Sequence, residues 1–143
     1  MKIKILPVIL FVILILGITK PVGSNTGIGF ILGEPTGMSL RIDKFPVLGI
    51  AWSLDNYFHL HCDYWIKSRR LKRSVYWFWG FGGKMTLYKY NDKNFTLGMR
   101  VPIGLRYFPA RRIEIFCEIV PGMRIYPSTA IDFDLGIGMR FIL

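Results

Sequence analysis

Between Asn94 and Phe108 the chain sorts into two alphabets. Phe95, Leu97, Met99, Val101, Ile103, Leu105 and Tyr107 occupy the odd positions, and Asn94, Thr96, Gly98, Arg100, Pro102, Gly104, Arg106 and Phe108 the even ones. Successive side chains of a strand point to opposite faces, so this stretch has one apolar face and one built mainly of glycine and charge. A glycine-and-arginine face opposite a continuous apolar face is the pattern of a membrane β-barrel wall.

The same division recurs after residue 25, with no helical period of 3.6. Eight strand-like segments are expected, at about 26–32, 38–44, 47–54, 57–67, 75–90, 94–108, from about 112 to Tyr126, and 130–143. Pro and Gly mark the turn at 33–37, Pro46 marks the next, Asp55-Asn56 makes a tight hairpin, and 91–93 makes another. Ser68 to Ser74 reads as the longest polar connection. The segments follow one another as a meander, so the expected fold is all-β, an eight-stranded antiparallel up-and-down transmembrane β-barrel.

Volume decides which face is inside. An eight-stranded barrel has room only for packed side chains. The apolar face carries Trp52, Trp77, Trp79, Phe58, Phe81, Phe95, Phe133 and Phe141, too bulky a set for such a lumen. The glycine-rich face leaves space for long polar groups. Its charges nearly cancel, with Arg41, Lys84, Arg100, Arg106 and Arg140 against Asp43, Asp63, Glu114, Glu118, Asp132 and Asp134. Buried charges must be paired, so near-neutrality is what a sealed interior requires. The expected lumen network is Arg41, His59, His61, Asp63, Lys84, Arg100, Arg106, Glu114, Glu118, Asp132, Asp134 and Arg140, with Arg100, Arg140, Glu118 and Asp63 pairing across it. Tyr64, Tyr57, Tyr88, Tyr107, Tyr126 and Trp65 stand near strand ends, where aromatic girdles belong, although alternation also puts Trp65 on the inner face with His59, His61 and Asp63.

The first residues form a separate unit. Lys2 and Lys4 precede an apolar run, Ile5 to Ile18, that is too short to span a bilayer comfortably and suits a secretory signal peptide. The domain reading is a signal peptide at 1–24, cut near Val22-Gly23-Ser24 or Gly17-Ile18-Thr19, and a barrel domain at 25–143. Removing Lys2, Lys4 and Lys20 from 19 basic residues leaves 16 against 9 acidic, a net +7. An exported barrel makes anionic lipid, and no nucleic acid, the partner of that charge. Cys62 and Cys117 both fall on apolar faces and read as small hydrophobes, not as a disulfide framework.

The densest charge run is Lys67, Arg69, Arg70, Lys72 and Arg73. It is read as a lipid-headgroup contact on the fourth connection, periplasmic if the N-terminus is. His59-x-His61-x-Asp63 points one way on one strand, but residues in such a row cannot all reach one ion, so they are read as lumen hydrogen-bonders and no metal site is assigned. Gly82-Gly83-Lys84-Met85-Thr86 lacks the hydroxyl residue a phosphate loop needs after its lysine, and Gly27-x-Gly29-x-x-x-Gly33 misses dinucleotide spacing by one residue. No catalytic residue and no cofactor is assigned.

Gly138-x-x-Phe141-x-Leu143 resembles the terminal-strand signal of outer-membrane proteins, with Leu143 in place of the usual final aromatic. Together with Leu32-Gly-Glu-Pro-Thr-Gly37, His61-Cys-Asp-Tyr64, Leu97-Gly-Met-Arg-Val-Pro-Ile-Gly104, Phe116-x-Glu118-x-x-Pro121 and Gly136-Ile-Gly-Met-Arg140, it makes the chain resemble a group of small eight-stranded outer-membrane β-barrel proteins of Gram-negative bacteria, over most of its length. The resemblance implies fold and location, and no activity. The expectation is an integral outer-membrane barrel, delivered by Sec-type export and the outer-membrane assembly machinery. It would be monomeric, touch membrane lipids, and serve a structural or interaction role in the cell envelope. The alternatives are a lipid-modifying enzyme resembling the lipid A deacylases, and a narrow channel.

Overall fold

The computed structural model describes residues 26–34, 36–43, 46–52, 57–88 and 95–143. The expected leader at 1–24 and the expected turns at Asp55–Asn56 and Asn91–Lys93 lie outside the described residues. Among those described there is no helix. Nine strands form one antiparallel sheet: β1 (Thr26–Glu34), β2 (Gly37–Ile42), β3 (Val47–Trp52), β4 (Tyr57–Lys72), β5 (Val75–Tyr88), β6 (Phe95–Arg100), β7 (Ile103–Ala110), β8 (Ile113–Tyr126) and β9 (Ala130–Ile142). Sequence neighbours pair around the meander, β6 and β7 excepted, and β9 returns to β1. The sheet thereby closes into a ring through eight strands, with β6 and β7 each bridging β5 to β8. The ring is closed at the β1–β9 seam, where the first and last strands would otherwise present edges.

The sixth expected strand is two strands end to end. Pro102, which cannot donate a backbone hydrogen bond, sits at the break between β6 and β7. The wall is not breached there. Gly80 N donates to Pro102 O at 2.9 Å, and Val101 N donates to Pro121 O at 2.9 Å. The ninth strand is therefore a local interruption of an eight-stave wall.

The two faces differ as alternation requires. Ile28, Phe30, Met38, Ile50, Trp52, Phe58, Phe81, Leu105, Ile137 and Phe141 are exposed on the outer wall, and Ile131 reaches 88% exposure. The interior holds Arg41, His59, His61, Asp63, Trp65, Phe78, Arg100, Phe116, Glu114, Glu118 and Arg140, all buried. Leu60 and Met85 are buried although they point outward; they oppose one another across the ladder and are flanked by Ile50 and Leu97.

The interior is filled by setting large groups against glycine. Across the ladders His61 opposes Gly49, Asp63 opposes Gly82, Trp65 opposes Gly80 and Phe78 opposes Gly104. Phe116 opposes Gly138, Arg140 opposes Gly29, and Glu118 opposes both Gly104 and Gly136. A Cβ at Gly49 would fall on the His61 ring, and one at Gly138 would fall on Phe116 Cζ.

Four expectations are corrected at the rim where β1 begins and β9 ends, called here the lower rim. Asp43 does not face inward: it lies exposed in the β2–β3 turn with φ +53°, and Ile42, expected outside, is buried where the strand bends into that turn. Trp65 belongs to no girdle, being 1% exposed inside the ring. The segment from Ser68 to Lys72 is not a loop but the end of β4, paired with β5 up to Lys72 opposite Val75, so only Arg73 and Ser74 turn the chain. A polar run without alternation reads as loop; the partner strand from Val75 to Phe78 holds it extended.

The β1–β9 seam is the most sensitive point of closure. A side chain at Gly138 would meet Phe116 and come 2.5 Å from the backbone oxygen of Phe30, which cannot swing aside. Gly138→Ala is expected to destabilise the folded ring by at least the about 1–3 kcal/mol typical of overpacking. Gly83→Ala, where the nearest atom is Gly98 O at 3.9 Å, is expected to be tolerated. Unfolding temperature and protease resistance of the two variants check this; equal effects would mean that the seam does not pack as described.

Candidate functional site: the charged interior

Glu114 on β8 is the hub of the lower half of the interior. Its carboxylate is fully buried and takes three arginines from three strands. Arg41 Nη2 and Nε reach Glu114 Oε2 at 3.0 and 3.1 Å, while Arg106 Nε and Arg140 Nη1 reach Oε1 at 2.7 and 3.2 Å. Arg140 Nε also donates to Ser39 Oγ at 2.8 Å, and Arg106 Nη1 to Ser68 Oγ at 3.2 Å. Three guanidiniums on one carboxylate leave a local excess of positive charge. Aromatic faces offset it. Trp65 lies 4.8 Å from Arg106 Cζ and 5.7 Å from both Arg41 Cζ and Arg140 Cζ, and the Phe116 ring is 3.7 Å from Arg140 Cζ. Trp65 itself stacks on Phe78 with centroids 4.2 Å apart.

Above this layer Arg100 on β6 joins two carboxylates. Its Nη2 donates to Glu118 Oε1 at 3.1 Å, and its Nε lies 3.1 Å from Asp63 Oδ1 as an ion pair without hydrogen-bond alignment. His61 Nε2 is 3.9 Å from Asp63 Oδ2, His61 Nδ1 is 3.3 Å from His59 Nε2, and His59 Nδ1 is 3.1 Å from Thr86 Oγ1. The two imidazoles meet edge to face. They form a row running up β4, not a convergent set. Among the described residues no group of three or more His, Cys, Asp or Glu side chains is arranged to hold a metal ion.

At the upper rim, where β4 begins and β5 ends, the row opens into a cleft of ≈ 210 Å³ lined by Tyr57, His59, Lys84, Thr86, Tyr88, Asp132 and Asp134. Lys84 Nζ bridges the acids, 2.6 Å from Asp132 Oδ2 and 3.3 Å from Asp134 Oδ2. His59, which lines the cleft, is joined to the buried His61. Beneath the pair stand the Asp63–Arg100–Glu118 group, the Trp65–Phe78 stack and the Glu114 hub. Chemically this is a plug: the charges of these three layers are paired with one another, although Arg100 Nη1, Arg140 Nη2 and Trp65 Nε1 have no hydrogen-bond partner among the described residues.

All twelve sequence-expected interior residues stand on the inner side of the ring, in three layers rather than one network. Arg140 does not join Arg100, Glu118 and Asp63 as expected; it belongs to Glu114, because its strand lies beside β8 and places it opposite that residue. Sequence reasoning missed Arg124, which continues the inward series Glu114, Phe116, Glu118, Val120, Gly122 on β8. The alternation was there to be extended, but Pro121 and Gly122 interrupt the apolar partner positions. Cys62 and Cys117 are both free thiols.

Compared with protein-family models, with curated proteins and with solved structures, the chain matches none of them.

Removing Glu114 would strand three arginines in a buried layer. Glu114→Ala is expected to cost about 3–5 kcal/mol, the usual penalty for breaking a buried ionic group by deleting one partner. Arg111→Ala, in the exposed β7–β8 turn, is expected to change stability by no more than about 0.5 kcal/mol. Denaturant unfolding checks the pair, and comparable losses would show that Glu114 is no hub.

Proposed function

We propose that this chain is an eight-stranded transmembrane β-barrel of a Gram-negative outer membrane, with a structural or interaction role in the envelope and a lumen sealed by its own side chains. One observation carries the reading: the closed ring turns its apolar face outward and keeps its charges inside. Phe133, Leu135 and Ile137 on β9 are 63%, 56% and 58% exposed. Soluble proteins rarely expose contiguous apolar patches of more than a few hundred Å². A lipid surround removes that cost, and closure satisfies the backbone within it. β5, β8 and β9, at 14, 14 and 13 residues, are long enough for the 9–11 residues a tilted strand needs to cross.

Export through a cleaved leader at 1–24 and insertion by the outer-membrane assembly machinery follow from this reading, with membrane lipid as the immediate partner. The resemblance to small outer-membrane barrels agrees with it. The plugged interior supports a scaffold over a channel. His59 and His61 point into the interior and are engaged with Thr86, with each other and with Asp63, which supports a scaffold over a hydrolase acting on lipid at the outer wall.

The full chain expressed in a Gram-negative host is expected to fractionate with outer membranes and to migrate on gels in a heat-modifiable way. It is also expected to give no stable conductance in planar bilayers. Recovery as a detergent-free soluble monomer would sink the membrane reading; reproducible open steps that change ion preference in Arg100→Glu would replace the sealed lumen with a pore.

A further inference from the structure

Resting on the membrane reading, we infer that the outer wall of the β4–β5 hairpin at the lower rim is a binding site for anionic phospholipid headgroups, formed by Lys67, Arg69 and Lys72 beside Trp79 and Trp77. The ladder between β4 and β5 slips twice, between Trp65 and Lys67 and between Arg70 and Lys72. Each slip is a β-bulge, an extra residue that shifts the alternation by one. Without the first, Lys67 and Arg69 would follow Asp63 and Trp65 into the interior, which already holds three arginines around one carboxylate. With it, Lys67 opposes Trp79 and Arg69 opposes Trp77. After the second, Lys72 opposes Val75. Directly opposed residues share a face, so the three cations stand in a row along two tryptophans and a valine. The inner side of the same segment agrees: Ser68 opposes Phe78 and accepts the bond from Arg106, and Arg70 opposes Tyr76.

The run of five basic residues is thus sorted by two bulges into three that face the wall, one that faces in and one, Arg73, in the turn. All three wall-facing cations are exposed. The nearby carboxylates of β8, Glu114 and Glu118, are buried and committed to interior arginines. Beside the tryptophans the wall continues as Leu105 and Ile103, and along the two strands away from the rim as Ile66, Tyr64 and Phe81, all exposed. Cations at the rim, tryptophans beside them and an apolar wall further in match a phospholipid: phosphate on ammonium and guanidinium, acyl chain on the wall.

The plain alternative is that these residues merely guard a strand edge. β3 pairs with β4 only as far as Val47 opposite Asp63, so beyond Asp63 that side of β4 has no strand partner among the described residues, and edge lysines discourage aggregation. Edge guarding requires no choice among lipids, and this separates the two.

The full chain is placed in phosphatidylcholine vesicles, and quenching of tryptophan fluorescence by brominated phosphatidylglycerol is compared with quenching by brominated phosphatidylcholine. The anionic lipid is expected to associate with a preference on the order of tenfold, falling as salt rises. Lys67→Gln, Arg69→Gln and Lys72→Gln combined are expected to abolish the preference, and Arg70→Gln to leave it. Should the triple variant fail to insert, Lys67→Gln and Arg69→Gln singly are expected to lower it by about two- to threefold each. Equal quenching by the two lipids, or a preference the wall-facing variants do not change, overturns the site and leaves the barrel standing. Loss of the preference when inorganic phosphate replaces chloride at constant ionic strength marks a simple anion site and overturns the lipid assignment. No quenching by either lipid overturns the membrane reading itself.

Discussion

The structure depends on a shortage of interior space. A ring of eight staves encloses little more than its own side chains, yet this one contains a tryptophan, two phenylalanines, two histidines and a charged layer at each level. The conflict is resolved pair by pair across the ladders, where glycine stands opposite the large group. Trp65 lies over Gly80, Phe78 over Gly104, Phe116 over Gly138, Arg140 over Gly29, and His61 over Gly49. At Gly49, Gly104 and Gly138 the missing Cβ is volume that the neighbouring ring occupies, and at Gly29 and Gly80 it is the facing backbone that comes too close for one. The glycines of the inner face are therefore a cast of the groups they accommodate, and their presence in a strand, normally a weakness, is what allows the ring to close around charge.

The electrostatics follow from that packing. Because the large groups are held at set heights, charges meet in layers: Glu114 with three arginines below, Arg100 between Asp63 and Glu118 in the middle, Lys84 between Asp132 and Asp134 above. The lowest layer is over-positive and the middle one over-negative if both histidines are neutral. Aromatic rings absorb the imbalance below, where Trp65 has three guanidiniums within 6 Å of its ring. Replacing any one member leaves its partners desolvated without compensation. Such an interior suits a rigid plug better than a conduit.

The outer wall obeys a different rule, set by the solvent it meets. Its apolar band is interrupted by cations only where β-bulges turn them outward, at the lower rim. The bulges thus do two things at once: they keep further positive charge out of an over-positive layer, and they place it where anionic headgroups would lie. In this way the crowding inside and the chemistry outside are coupled through two extra residues, Ile66 and Leu71.

Local sequence determined much of this. Period-two alternation identified the strands and the buried residues, because the side-chain period of a strand is a property of the backbone alone, and the near-cancelling charges marked the inner face. Where alternation failed, so did the reading. The polar stretch from Ser68 to Lys72 looked like a loop because nothing within it reveals that β5 will pair with it. Asp43 looked inward because counting by twos does not see the left-handed turn that ends β2. Lys67 and Arg69 could not be given a face, since a bulge is defined only against the partner strand. Nor could sequence assign Arg140 to Glu114 rather than to Glu118: both carboxylates lie on one face of β8, and only the register with β9 decides which of them it meets. Which residues are buried was a local matter of pattern; which of them touch was decided by register, and register exists only once two strands have paired.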